Sequence, residues 1–328
     1  MYCFDEGDIL NGKILFFDEW KNFNASLNEE IESRKLTEKQ KEEFYKNGEF
    51  DKKYDAFLEE FLGTITGTIA NYMSTYHIEK KQENDKNYSH MEQIWGEGFD
   101  LYSFYLDSIS EFRNSLLNYL DQYYTVDNST KGIVVFKVLT CLQGRAIQIG
   151  NEILVLLRNG YADGAYARFR TMYEICVLAH FISDQGDECA KAYIEYNGDW
   201  YDWAGKFMSK SKKHYTFNDI EKECKVNLQP WKAEYKLSNK LVHASSQGTF
   251  SRLSLEGDFV DIPIGPVDSG IVTPATNSLT TLFEINKVYF STIPDPIVNL
   301  WILALQKIKN ECCNKFMELE KLHFPDKK

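Results

Sequence analysis

Two short segments carry the side chains best suited to chemistry. The first is YARFRTMYE, Tyr166 to Glu174, and the second is YKLSNKLVHASSQGT, which begins at Tyr235. In the first, Asp163, Tyr166, Arg170 and Glu174 recur at i, i+3/i+4 spacing, so a helix would bring all four to one face. Phe169, Met172, Cys176 and Ala179 would share another, apolar face. In the second, Tyr235, Asn239 and His243 stand four apart and would stack along one face of their own helix. Arginine offers a planar, permanently charged fork suited to phosphate or carboxylate. A histidine near a helix C-terminus is placed for acid/base work. Arg170, Glu174, Asn239 and His243 are therefore the candidate catalytic set. Asp163, Tyr166, Arg168, Arg145, Trp200 and Trp203 are the candidate ligand-binding set. The same spacings also suit plainer roles: an Arg170–Glu174 ion pair worth a few tenths of a kcal/mol if exposed, and a histidine that caps a carbonyl.

The arginines are unevenly placed. The chain has 30 Lys but only seven Arg, and four of the seven fall between positions 145 and 170. Other near-motifs are weaker. Gly7 to Ile14 approaches a phosphate-binding loop, but Ile14 stands where a magnesium-holding hydroxyl is needed. Glu320-Lys-Leu-His323 is one Glu-x-x-His, whereas a di-iron bundle needs two with further glutamates. No metal and no cofactor is expected from these patterns.

Positioning these residues falls to helices. Hydrophobic content of 43% and aromatic content of 15% supply a real core over 328 residues. Residues 51–77 and 91–124 read as helices joined by a polar linker, Lys80–Ser89, and Gly63 and Gly67 would let another helix approach closely. Asn128-Ser129-Thr130 reads as the cap of a helix that ends at Gly160. Further helices are expected at 161–183, 187–209, 230–245, 274–290 and 296–322. The expected fold is all-α, a helical bundle with an N-terminal helical arm and a short β-hairpin or ordered loop near residues 250–272. The arm spans 1–90 and the main bundle domain 91–328.

The net charge of −12 weakens a general affinity for nucleic acid or an anionic membrane, though a local basic pocket can sit in an acidic shell. The seven cysteines form no CxxC pair, which fits a reduced cytoplasmic setting. The N-terminus lacks the basic region of a secretory signal. The apolar run Ile133–Leu157 is interrupted by Lys137, Arg145, Asn151 and Glu152, so it reads as a core helix and no membrane partner is expected. A homodimer is the expected assembly.

The segments NGYADGAYARFRTMYEICVLAHFI and LSNKLVHASSQGTF resemble the core motifs of domain-of-unknown-function family 5677 of bacterial proteins. The resemblance rests on Arg170 with Glu174, on His243-Ala244-Ser245, and on Gly265-Pro266 with Gly270, and extends over about residues 131–290. It implies no activity. More weakly, the chain is similar to HEPN-type helical proteins of toxin–antitoxin and phage-defence systems, which cut RNA without metal. Asn239 and His243 match that motif, while Ser238 stands at its arginine, so Arg170 or Arg168 would supply the cation from a neighbouring helix. Three functions are compatible with these readings: a metal-independent ribonuclease acting on RNA as a toxin or defence effector, a non-catalytic module binding a small ligand or partner protein through the same polar cleft, or a purely structural stripe in a dimerising bundle.

Overall fold

The computed structural model describes residues 15–123, 130–198, 200–227, 229–242, 254–256, 259–261 and 265–325. His243 and the His-Ala-Ser word, the near phosphate loop at Gly7–Ile14, and Asn128 and Ser129 lie outside the described residues. The fold is all-α. The chain divides into two compact units, residues 1–83 and 84–328.

The first unit holds α1 (Leu15–Ser33), α2 (Glu38–Lys46) and the beginning of α3 (Glu49–Tyr123). Its small core is Leu27, Ile31 and Phe44, with Phe23, Leu36 and Phe50 packed against them. Thr37 caps α2 reciprocally: its hydroxyl accepts from Gln40 N, and Gln40 Oε1 accepts from Thr37 N at 2.9 Å.

The polar stretch at 80–89 is not a linker. α3 runs through it without a break. The stretch contains no Pro or Gly, its Lys, Gln and Glu are good helix formers, and Lys80 pairs with Glu83 at 2.6 Å one turn along. Gly63 and Gly67 have open space where a side chain would project, so no helix approaches them among the described residues.

The second unit adds α4 (Ile133–Arg158), α5 (Ala162–Gln185), α6 (Asp187–Glu195), a 3-10 turn (Asp202–Phe207), α7 (Phe217–Glu223), α8 (Gln229–Val242), α9 (Val272–Phe290) and α10 (Pro296–His323). Two three-residue strands, β1 (Ser254–Glu256) and β2 (Phe259–Asp261), pair antiparallel with Leu255 opposite Val260. α5 is central: α4 and α9 pack along it, and α7 and α8 cover another side. Phe169, Met172, Val177, Ala179, Phe181 and Ile182 of α5 are fully buried. By length and composition alone, α4 is apolar enough to cross a membrane; here it buries Val138, Leu139, Ala146, Ile149 and Ile153 in the core. α3 closes on α10 through Gly98, where a Cβ would stand 2.8 Å from the Phe316 ring.

Two helix ends differ from the sequence reading. α4 is capped from a distance, an interaction the sequence reading does not include. Asp187, at the start of α6, accepts from Gly132 N at 2.7 Å, Val134 N at 3.1 Å and Val135 N at 3.0 Å. Burial pushes the Asp187 carboxyl up, but the three backbone donors outweigh it and hold the group below its usual value. The helix expected over 187–209 stops at Glu195, where Tyr196 turns extended and the chain re-forms as the 3-10 turn.

The α4–α5 turn is sharp. Gly160 has φ +75°, and a Cβ there would meet Pro266 Cβ at 2.9 Å. Val267 N donates to Gly160 O at 3.0 Å. The Gly265-Pro266 segment is thereby fastened onto the helical hairpin that carries the arginines.

Candidate functional site

α5 presents different groups to each neighbour. Toward α8 it presents Tyr166, Arg170, Tyr173 and Glu174. Tyr235 of α8 donates its hydroxyl to Glu174 Oε1 at 3.0 Å, the oxygen that also accepts from Arg170 Nε at 3.2 Å. Glu174 thus holds the guanidinium by its inner nitrogen and is itself held by a tyrosine on the facing helix. The Arg170 side chain keeps 31% of its surface exposed. Burial opposes the Arg170 charge, but Glu174 and Tyr235 outweigh that and hold the group above its usual value. Burial, aided by the Glu174 charge, pushes the Tyr235 hydroxyl up to about 12. Tyr201 belongs to this cluster: burial raises its hydroxyl, and Glu174 adds to the effect.

Two further tyrosine–glutamate pairs join α5 to its neighbours. Tyr166 donates to Glu234 Oε2, and Asn277 of α9 donates to the same oxygen at 3.2 Å. Tyr173 donates to Glu221 Oε1 of α7 at 2.6 Å, while Lys232 of α8 holds the other oxygen at 2.6 Å. Burial raises both tyrosine hydroxyls well above their usual range, with the glutamates reinforcing it. Tyr173 and Tyr235 pack with ring centroids 4.8 Å apart and planes tilted by 30°. These contacts register the helices at the site.

The expected residues separate into those at this helix contact and those away from it. Arg170 and Glu174 meet directly, and Tyr166 lies on the same side of α5 but is buried against Glu234. Asp163 is half-buried in the first turn of α5. Asn239 stands one turn beyond Tyr235 on α8, and its Oδ1 is buried without a hydrogen-bond partner among the described residues. His243 lies outside the described residues. Ser238 is fully buried and donates to Tyr235 O at 2.7 Å, so that position faces the core and is not a place for a cation.

Arg145, Arg168, Trp200 and Trp203 go elsewhere. Arg168 is two residues from Arg170 and therefore points to the α4 side, where it meets Glu152 at 2.5 Å; Arg145 reaches the same carboxylate at 3.4 Å. Arg158 is bound to Glu92 and Asp100 at 2.7 and 2.9 Å. Trp203 is in the core, edge-on to Phe181 and Tyr193. Trp200 lies on the surface. The 3-10 turn that interrupts the expected helix separates them.

Sequence reasoning passes over Glu234, Asn277, Glu221, Lys232 and Tyr201. Tyr201 has a signal, as one of a cluster of aromatics after α6; the others become partners only through tertiary contact. Among the described residues, no group of three or more His, Cys, Asp or Glu is gathered as a metal ion would need.

Residues 136–214 match a family described as a family of unknown function, DUF5677. The matched segment holds α4, α5, α6 and the 3-10 turn, hence Arg145, Arg168, Arg170, Glu174, Trp200 and Trp203, and it ends before α8 and Asn239. No curated protein and no solved structure matches the chain. Through most of the arginine-bearing hairpin, α6 and the 3-10 turn, residues 136–214 are similar to this family of unknown function.

Proposed function

We propose that the α5–α8 face binds a phosphate-bearing ligand, with Arg170 as the cation that meets the phosphate. One observation carries the reading: Glu174 meets Arg170 at Nε, Tyr235 holds Glu174, and the Arg170 side chain remains 31% exposed. An ion pair that served only to order the bundle would have no need of the exposed side. Oriented donors at a partly buried position are what anion recognition requires. Tyr201 and the buried Asn239 Oδ1 supply polar atoms close to the same helix contact.

The catalytic form of this reading is a metal-independent ribonuclease of a toxin or defence system. His243, which comes directly after the last residue of α8, would take the proton of a 2′-hydroxyl. The 2′-oxygen would attack phosphorus, Arg170 would stabilise the charge on the phosphorane, and the 5′-oxygen would leave with a proton. In the same reading the chain is cytoplasmic and homodimeric, residues 1–90 serve as a helical arm, and a short β-hairpin or ordered loop lies near residues 250–272.

The test is a thermal-shift series with nucleoside mono- and diphosphates, run beside incubation with total RNA. Stabilisation by the nucleotides that is lost in Arg170→Ala supports the binding site. RNA cleavage lost in His243→Ala supports the catalytic form, and binding without cleavage leaves the non-catalytic module. A ligand response identical in wild type and Arg170→Ala overturns both.

A further inference from the structure

The segment after α6 carries a surface that the Arg170 cluster does not use. From Trp203 to Asn218 there is no Asp or Glu, yet Lys206, Lys210, Lys212 and Lys213 all fall within it, in a chain of net charge −12. At the edge of this stretch Trp200 is half exposed, and its ring stacks on His214 with centroids 5.4 Å apart and planes 29° apart. The pair is braced from behind. His214 Nδ1 lies 3.0 Å from Asp202 Oδ2, and the other Asp202 oxygen accepts from Tyr215 N at 3.0 Å. Lys212 is committed to Asp219 at 2.5 Å. Lys206, Lys210 and Lys213 are exposed and make no ion pair among the described residues. Beside them is a concavity of about 340 Å³ whose lining includes Lys210, Lys212 and Lys222 together with the carboxylates Asp219 and Glu223.

A surface that meets only water gains nothing by holding a half-exposed tryptophan stacked on His214 in a segment with three exposed, uncommitted lysines. A flat aromatic with its face to solvent stacks on an unpaired base, and lysines around it meet the phosphates on either side. A duplex would offer phosphates but no free base face. An acidic peptide would use the lysines and leave the ring idle. We infer that Trp200 and His214, with Lys206, Lys210 and Lys213, form a binding platform for single-stranded nucleic acid. Tyr201, next to Trp200, packs on Phe217 with ring centroids 6.2 Å apart, and Phe217 packs on Tyr235, which holds Glu174, so platform and arginine are linked through packed rings. The inference names the substrate class of the proposed phosphate site and rests on that reading only for the link between the two.

Fluorescence anisotropy with labelled 12-mers of oligo(U) and oligo(dT), a hairpin duplex and oligo-glutamate tests it on the full chain. Wild type is expected to bind the single strands and not the duplex or the acidic peptide. Trp200→Ala, at a surface position and with an unchanged melting temperature, is expected to weaken binding about tenfold. The log–log salt slope should be about −2, as three neutralised phosphates give on a single strand, and should fall by about 0.7 for each of Lys206→Gln, Lys210→Gln and Lys213→Gln. Wild-type affinity in Trp200→Ala, equal binding of duplex, or preference for the acidic peptide overturns the platform. Arg170→Ala separates the two readings: loss there with Trp200→Ala unchanged sinks the platform and keeps the phosphate site, while the reverse keeps the platform and sinks the phosphate site.

Discussion

Arg168 and Arg170 are two residues apart on one helix and have opposite fates. Arg168 turns to α4 and shares Glu152 with Arg145, so one carboxylate serves two guanidiniums on an outer face. Arg170 turns to α8 and has a carboxylate to itself, which a tyrosine of the facing helix holds in turn. The chemistry of the two side chains is identical, and the difference is organisation. Both arginines keep 31% of the side chain exposed, so exposure does not separate them; what differs is that the α4-side carboxylate is shared between two guanidiniums. A single pair braced across a helix contact is pre-oriented. α5 also has a third side, toward α9, where His180 sits half-buried with Nε2 3.9 Å from Glu284 Oε2 and without a hydrogen bond. In the proposed reading the α4 and α9 sides act as scaffold and the α8 side keeps a cation available.

That division can be broken at several points, beginning with the largest effect. Burial lowers the His180 pKa to about 4, against which Asp184 works and Lys287 assists. A folded value below the unfolded one of about 6.5 means that the fold favours the neutral ring. The stability is therefore complete above about pH 6.5 and is lost as pH falls through about 4, by on the order of 3 kcal/mol. Urea unfolding between pH 7 and 4 should show this slope in wild type and a smaller one in His180→Gln; equal slopes would remove His180 from the scaffold.

Asp187 is the next largest. Asp187→Ala leaves three backbone donors of α4 without their acceptor and should cost about 2 kcal/mol at neutral pH. The carboxyl is held below its usual value in the fold, so this contribution is present above about pH 4 and lost as pH falls further. Wild type and variant should therefore converge in acid, and a constant gap across pH would count against the cap. Tyr166→Phe should cost about 1.5 kcal/mol, since Glu234 keeps only Asn277 as a donor. Arg168→Ala is the smallest, at about 0.5 kcal/mol or less, with no change in ligand response. A larger loss in chemical unfolding would mean that Arg168 is as well braced as Arg170.

Much of the fold is legible in the sequence because it rests on local signals. Apolar periodicity places α4, α5, α9 and α10, Gly160 ends α4, and Pro296 opens α10. The failures have two causes: a local signal that periodicity does not read, and deciding interactions absent from the local window. Residues 80–89 are polar all round, so periodicity says nothing and helix propensity decides. α4 looks for a cap just before its start and finds it 53 residues downstream, in Asp187. The site divides in the same way. The i, i+4 pairing of Arg170 with Glu174 is read directly from spacing. That Tyr166 faces Glu234, 68 residues away, and that Trp203 sinks into the core while Trp200 stays outside, are set by how the helices cross and where α6 stops.

The central claim is that Arg170, and not its neighbour, is the available cation of α5. Titration calorimetry of wild type, Arg168→Ala and Arg170→Ala with one nucleoside diphosphate measures it directly, with melting curves to show that all three are folded. The expected result is an affinity unchanged in Arg168→Ala and weakened about tenfold or more in Arg170→Ala, as loss of a charge-assisted contact of about 1.5 to 3 kcal/mol gives. Equal affinities in all three proteins, or a loss confined to Arg168→Ala, would contradict it.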